Sequence, residues 1–165
     1  MICIYCIYTE QTVQTVENLI SSLLKQLAQD CSVISDTVES LYKRHVERNT
    51  RPTFEEYTRA LQSEIKTFSR VFVVVDALDE CLEDNRSDLL TALRSLGNTV
   101  NLMVTSRDLS SIAKYFPRTK RLDIYATNED VQRYIEGRIT RTSRQHLKSL
   151  QEIIVNKIVE NVKGM

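Results

Sequence analysis

Five consecutive apolar residues, Val71-Phe72-Val73-Val74-Val75, run directly into Asp76-Ala77-Leu78-Asp79-Glu80, and this junction constrains the chain more than any other feature. A half-exposed strand alternates apolar and polar residues, so a run without a polar break is predicted to be covered on both faces. That is the position of a central parallel strand between helices. The run is far shorter than the roughly 18 residues of a membrane-spanning helix. A leucine-rich helix is predicted to follow, over about Ser87 to Leu96, closed by Gly97-Asn98 as a left-handed cap. Val100 to Val104 then forms a second strand, which ends in Thr105-Ser106-Arg107. Strands alternating with helices predict an α/β sheet with helices on both faces.

The flanking sequence extends the pattern. Met1 to Tyr8 is β-branched, aromatic and cysteine-rich, and is predicted to be a buried strand. Val16, Leu19, Ile20, Leu23, Leu24 and Leu27 recur at helical spacing, with Gln14, Glu17, Lys25 and Gln26 on the opposite side. Ser35 or Asp36 opens a second helix bearing Val38, Leu41, Tyr42 and His45, which stops within Arg48 to Arg51. Pro52 starts a third, with an apolar stripe of Phe54, Tyr57, Leu61, Ile65 and Phe68, and Glu55 and Glu56 at its dipole-favoured first turn. Downstream, Leu109 to Phe116 reads as a short helix stopped by Pro117, and Arg121 to Tyr125 as a last strand. Thr127 and Asp130 resemble a capping box for a helix carrying Val131, Tyr134, Ile135 and Ile139, and a final helix carries Leu147, Leu150, Ile154 and Ile158. The expected organisation is a sheet core over residues 1–126 and a helical extension over residues 127–165.

Composition narrows the functional classes. A length of 165 residues suits one domain with its own core, and 42% hydrophobic with 27% charged residues excludes a disordered or collagenous chain. Lys and Arg number 22 against 22 Asp and Glu, which removes the basic footprint of a dedicated nucleic-acid or anionic-membrane binder. Met1 to Tyr8 has no basic flank or small-residue cleavage site, so it is not a signal peptide, and an intracellular, cytoplasmic chain is expected. Four cysteines are too few to staple a scaffold of this size, and reduced thiols are expected. With three glycines in the chain, a phosphate-cradling loop would have to lie at Gly97, Gly137 or Gly164.

The carboxyl ends of strands in an open parallel sheet are where ligands bind. Asp76 is placed there to hold a hydrated magnesium ion beside a phosphate. Asp79 and Glu80, a turn further, are placed to orient or deprotonate a water attacking a γ-phosphate. Arg107 arrives at the end of the next strand, where a guanidinium can contact that phosphate or sense its loss. An acidic pair after an apolar strand also serves as a turn and helix cap, and Arg107 alone also reads as a solvated loop arginine. The compound order of strand, Asp-x-x-Asp-Glu, helix, strand and Thr-Ser-Arg separates the two readings.

Val73 to Cys81 resembles the Walker B segment of NACHT-type NTPases of the signal-transduction class, and Thr105-Ser106-Arg107 resembles their sensor arginine. The chain is similar to the nephrocystin-type NACHT modules abundant in fungal multidomain proteins. An aromatic-rich strand, a Gln-Thr-rich turn and a Leu-Leu-Lys-Gln-Leu helix (Tyr5 to Leu27) come first, then the Leu-Tyr helix, the two motifs, and the phrasing of Val131 to Ile139. The resemblance implies a P-loop NTPase-like parallel sheet with a short helical tail, and a regulatory switch that signals or oligomerises through protein partners and adjoining domains. It implies magnesium and ATP or GTP in the complete module, with Asp76 on the metal, Asp79 or Glu80 on the attacking water and Arg107 on the γ-phosphate.

Such modules begin with a strand and a G-x-x-x-x-G-K-[ST] loop, and none of the three glycines here precedes Lys-Ser or Lys-Thr. The chain starts at what resembles the family's second strand and stops at Lys163-Gly164-Met165, so an internal fragment is expected, from a truncated gene model or a degenerate paralogue. In the family order 5-1-4-3-2, the strand not found here lies between Val100–Val104 and Arg121–Tyr125. Those two strands are expected to pair directly or to leave a gap. Tight nucleotide binding and ATPase activity are not expected of this chain alone. The alternative is a non-catalytic interaction or scaffold fragment that uses an exposed sheet edge.

Cys3-x-x-Cys6 is not a metal motif here, because a strand points the two side chains to opposite faces and no second Cys/His pair follows at ligand spacing. His45 and His146 have no evident nucleophile partner, and the basic excess from Arg133 to Lys148 reads as a solvated helix face.

Overall fold

The computed structural model describes residues 1–30, 33–141 and 150–161. Three parallel strands, β1 (Ile2–Tyr5), β2 (Val71–Asp76) and β3 (Val100–Val104), form one sheet in that order. Ile2 opposes Val73 and Ile4 opposes Val75 in one ladder; Val73 opposes Leu102 and Val75 opposes Val104 in the other. The period of two puts these residues on one face, where Ile2, Ile4, Val71, Val73 and Val75 are buried.

Three helices link β1 to β2: α1 (Val16–Asp30), α2 (Asp36–Glu47) and α3 (Phe54–Ile65). A fourth, α4 (Glu83–Ser95), links β2 to β3 and begins four residues before its predicted start. The six predicted apolar residues of α1 are all buried. Ser35 caps α2 by accepting the Val38 N–H, and its hydroxyl bonds the buried Glu64 carboxylate. Thr53 and Glu56 form a reciprocal capping box on α3, so Pro52 lies just outside that helix rather than starting it. Gly97 follows α4 at φ 101°, the left-handed position predicted for it, and Asn49 takes the same region after α2.

Gln14 and Gln26 do not face solvent as their helical spacing predicts. The Gln26 amide accepts from the Cys3 N–H and donates to the Cys3 carbonyl, both at 2.8 Å. Gln14 makes the same pair of bonds with the Ile7 N–H and the Tyr5 carbonyl, at 2.9 and 2.8 Å. Two side-chain amides thus satisfy the outer edge of β1 as a neighbouring strand would. Among the described residues no strand pairs with the outer edge of β3.

The α/β class and the parallel sheet are as predicted. Coverage of both faces is not found within this part of the chain: Phe72 is 48% and Met103 59% exposed, and Tyr5 is exposed beside them. Strand handedness explains the difference. Both crossovers step the same way across the sheet, and right-handed connections that step the same way lie on the same face. A helix on the second face needs a connection that steps back across a switch point. The unbroken apolar run therefore marks a strand with one deeply buried face and one partly open apolar face.

The chain divides into two compact units, Met1–Pro117 and Arg118–Met165. The first also contains α5 (Ser110–Ala113), shorter than predicted, whose Ile112 joins the main core. In the second, Arg121–Tyr125 is not a strand. Leu122 and Ile124 are each 82% exposed, and the segment pairs with none of the three strands. An alternating sequence becomes a strand only when a ladder partner accepts its backbone groups. The second unit pairs α6 (Asn128–Thr140) with α7 (Gln151–Asn161) over Ile135, Ile139 and Val155. The predicted Thr127–Asp130 capping box is present, while Tyr134 and, in the first unit, Tyr42 are exposed rather than packed. Leu147 and His146 lie outside the described residues. Among the described residues no helix is long and apolar enough to cross a membrane.

One-sided burial sets a measurable contrast. Ile4→Ala is expected to lower unfolding stability by about 2–5 kcal/mol, and Met103→Ala on the open face by about 0.5 kcal/mol or less, read from urea denaturation of each variant.

Candidate functional site

β2 and β3 end side by side, so the residues after each strand meet. The ladder continues past the strands through the Thr105 N–H to the Val75 carbonyl and the Leu78 N–H to the Thr105 carbonyl, both at 2.9 Å. The Thr105 hydroxyl donates to Asp76 Oδ1 at 2.5 Å and accepts from the Ala77 N–H at 2.9 Å. Ala77 stands in the left-handed region at φ 53°, ψ 48°. For a residue with a Cβ this costs about 1–2 kcal/mol, and the two Thr105 contacts hold the turn against it. The reversal drives Leu78 wholly into the core and starts a single helical turn, Leu78–Glu80.

That turn separates the two predicted acids. Asp79 faces the end of β3, where Oδ1 accepts from the Arg107 N–H at 3.1 Å and Oδ2 from Arg107 Nε at 2.5 Å. Its side chain is 4% exposed, against 76% for Arg107. Burial works to raise the Asp79 carboxyl, but its hydrogen bonds and charge contact with Arg107 outweigh that and hold it below the ordinary aspartate range. Glu80 is tied instead to the turn after β1: its Oε2 accepts from the Tyr8 N–H at 3.0 Å, and its carbonyl accepts from Gln11 Nε2 at 2.7 Å. The structure thus brings Asp76, Asp79 and Arg107 together around Thr105, with Glu80 at the flank.

The donor set was expected to take magnesium and a nucleoside triphosphate. Asp76 and the Thr105 hydroxyl fit the metal side of such a site, since magnesium keeps most of its waters and needs one or two carboxylates. The phosphate side does not fit. Among the described residues, Gly97 follows α4 and Gly137 lies inside α6, so neither opens a helix with backbone N–H groups free to cradle phosphates; Gly164 lies outside the described residues. Among the described residues no group of three or more His, Cys, Asp or Glu side chains is arranged to hold a metal. What the residues do by themselves is hold one another.

A scan against protein families matches residues 1–107 to the family described as Nephrocystin 3, N-terminal. The chain belongs to this family. The matched nephrocystin-type segment contains all three strands and every residue of the site, and ends on Arg107 itself. Neither a curated protein nor a solved structure gives a match.

Sequence reasoning missed three participants in this nephrocystin-type site. Thr105 stood in the Thr-Ser-Arg motif, yet its role as the clasp between two strand ends needed the register of β2 with β3. Ala77 gives no local signal of positive φ. Arg86, on the first turns of α4, is buried and donates from Nη2 to the Cys81 carbonyl at 2.9 Å. His45 bridges two segments: Nδ1 is 2.8 Å from the Thr50 hydroxyl and Nε2 is 3.0 Å from Glu56.

Removing the clasp leaves the Ala77 N–H and the Asp76 carboxylate without their partner, so Thr105→Val is expected to destabilise the chain by about 1–3 kcal/mol in urea titration. The lowered Asp79 carboxyl contributes stability that is present above the ordinary aspartate range and is lost as pH falls through its folded-state value. Arg107→Ala is therefore expected to be less stable than the parent chain at pH 7. The gap should close progressively below about pH 4, read from urea midpoints at each pH.

Proposed function

We propose that this chain is the Walker B and sensor portion of a NACHT-type regulatory nucleotide-binding module, and that by itself it has no ATPase activity. The observation that carries this reading is the Asp79–Arg107 pair, closed across the ends of two neighbouring parallel strands. One partner is buried and the other is exposed. An anion arriving at the strand ends competes for Arg107 and leaves Asp79 buried without its counter-charge, which is the physical basis of a switch. Membership of the nephrocystin 3 N-terminal family and the resemblance of Val73 to Cys81 to a Walker B segment support the reading. In a complete module Asp76 takes the magnesium role, Asp79 and Glu80 the role of placing the attacking water, and Arg107 that of sensing the γ-phosphate of ATP or GTP. Signalling then passes through oligomerisation or through adjoining domains, in an intracellular setting.

A second reading, a non-catalytic interaction region, is favoured by the contrast between the two sheet edges. Glutamine amides close the edge of β1, while among the described residues no strand pairs with the outer edge of β3, and Phe72 and Met103 are exposed.

Isothermal titration of the chain with magnesium-ATP and magnesium-GTP tests the first reading. No saturable binding below the millimolar range is expected, because the 165 residues contain no G-x-x-x-x-G-K-[ST] segment. Micromolar binding that Asp76→Ala abolishes would overturn the statement that this chain alone is inactive.

A further inference from the structure

The turn that carries Asp79 and Glu80 has its main-chain carbonyls taken up one by one. Those of Ala77 and Leu78 accept from the Glu80 and Cys81 N–H groups at 2.9 and 3.2 Å, and that of Leu82 accepts from the Arg86 N–H at 2.9 Å. The Glu80 carbonyl takes the Gln11 amide. The carbonyls of Asp79 and Cys81 remain, and one atom serves both: Arg86 Nη2 donates to them at 3.3 and 2.9 Å. A partly buried turn loses stability when such acceptors go unpaired.

Arg86 holds this place against its own chemistry. It is 6% exposed, its Nε is buried without a hydrogen-bond partner, and among the described residues it enters no ion pair. A guanidinium cannot shed its charge, and a buried charge without a counter-ion is costly. It also stands in the first turns of α4, at the end of the helix where the dipole disfavours a cation. Three costs borne by one side chain point to the geometry it imposes. That geometry is the direction of Asp79. An aspartate carboxylate hangs from the backbone by two torsions, so fixing the Asp79 carbonyl on one side leaves Oδ1 and Oδ2 aimed at the Arg107 N–H and Nε on the other.

Resting on the switch reading of the Asp79–Arg107 pair, we propose that Arg86 is the positioning residue of that pair. From the start of α4 it grips the turn by two carbonyls and keeps the Asp79 carboxylate facing the end of β3. Among the described residues its guanidinium makes no hydrogen bond to the Asp79 carboxylate, so it acts through the backbone. The pair is thereby tied to α4 as well as to β3, and a shift at the start of α4 loosens Arg107.

Hydrogen exchange of the folded full chain, read by NMR, separates this role from a general loss of stability. The Arg107 N–H, bonded to Asp79 Oδ1 at 3.1 Å, reports the pair; the Val71 N–H, bonded to the Thr99 carbonyl at 3.0 Å, reports opening of the sheet. Relative to Val71, Asp79→Ala is expected to speed exchange at Arg107 about tenfold, the loss of one hydrogen bond to a charged group. Arg86→Met should approach the same change. Arg86→Lys, whose ammonium ends one bond short of Nη2, should give about threefold. Acceleration by Asp79→Ala but by neither Arg86 variant overturns the positioning role and leaves the pair standing. An equal rise at Val71 and Arg107 in the Arg86 variants makes Arg86 structural only and also overturns it. No acceleration by Asp79→Ala removes the pair, and with it both the switch reading and this proposal. If Arg86→Met does not fold, Arg86→Lys decides, and exchange at the parent rate overturns the proposal.

Discussion

The parallel pairing of β2 with β3 is the constraint on which the rest of the site depends. Because Val75 sits opposite Val104, the last residue of β2, Asp76, lies beside Thr105, the residue after β3, and the Thr105 hydroxyl reaches both Asp76 and the Ala77 amide. That double contact holds a left-handed alanine that local sterics oppose. From this reversal follow the burial of Leu78, the direction in which Asp79 points, and its meeting with Arg107. A slip of one residue in register would turn every side chain of β3 to the other face and undo all of these at once.

The same pairing, repeated from β1 to β2, sets the distribution of the helices. Each crossover steps the same way, and connections of the usual right hand that do so lie on one side of the sheet; the buried residues of the three strands and of α1, α3 and α4 form one core. The opposite face keeps Tyr5, Phe72 and Met103 exposed. Its two borders are treated differently. At β1 two glutamines from the segment leading into α1 and from α1 itself supply the missing hydrogen bonds, whereas among the described residues no strand pairs with the outer backbone of β3. Both features are consistent with a region whose open side is completed by something further, which is why an interaction reading stands beside the nucleotide-switch reading.

Much of the local structure was legible. The heptad-like spacing of Val16 to Leu27 predicted which side chains of α1 are buried, and Gly97, Ser35 and the Thr127–Asp130 pair marked helix ends. These signals act within one or two turns of chain, where geometry follows directly from residue type. The meeting of Asp76, Asp79 and Arg107 was also legible, because the ends of adjacent parallel strands share one border of the sheet. What misled were signals whose meaning depends on a partner. Arg121–Tyr125 has the alternation of a strand and no ladder to join, and the unbroken run Val71–Val75 has the composition of a strand covered twice but a helix layer on one face. Gln14 and Gln26 sit on the polar side of their helical pattern, yet their amides are spent on the backbone of β1.

The sequence by itself determined the α/β class, the helices with their caps, and the residues that gather where the strands end. Periodicity, capping and a strand's carboxyl terminus are properties of neighbours along the chain. Only the tertiary structure decided that one face of the sheet stays open, that Asp79 and Glu80 part company, that alanine rather than glycine takes the left-handed turn, and that a buried Arg86 bonds the Cys81 carbonyl. Each of these depends on strand order, crossover hand and register, which bring distant segments into contact and which no local run of residues encodes.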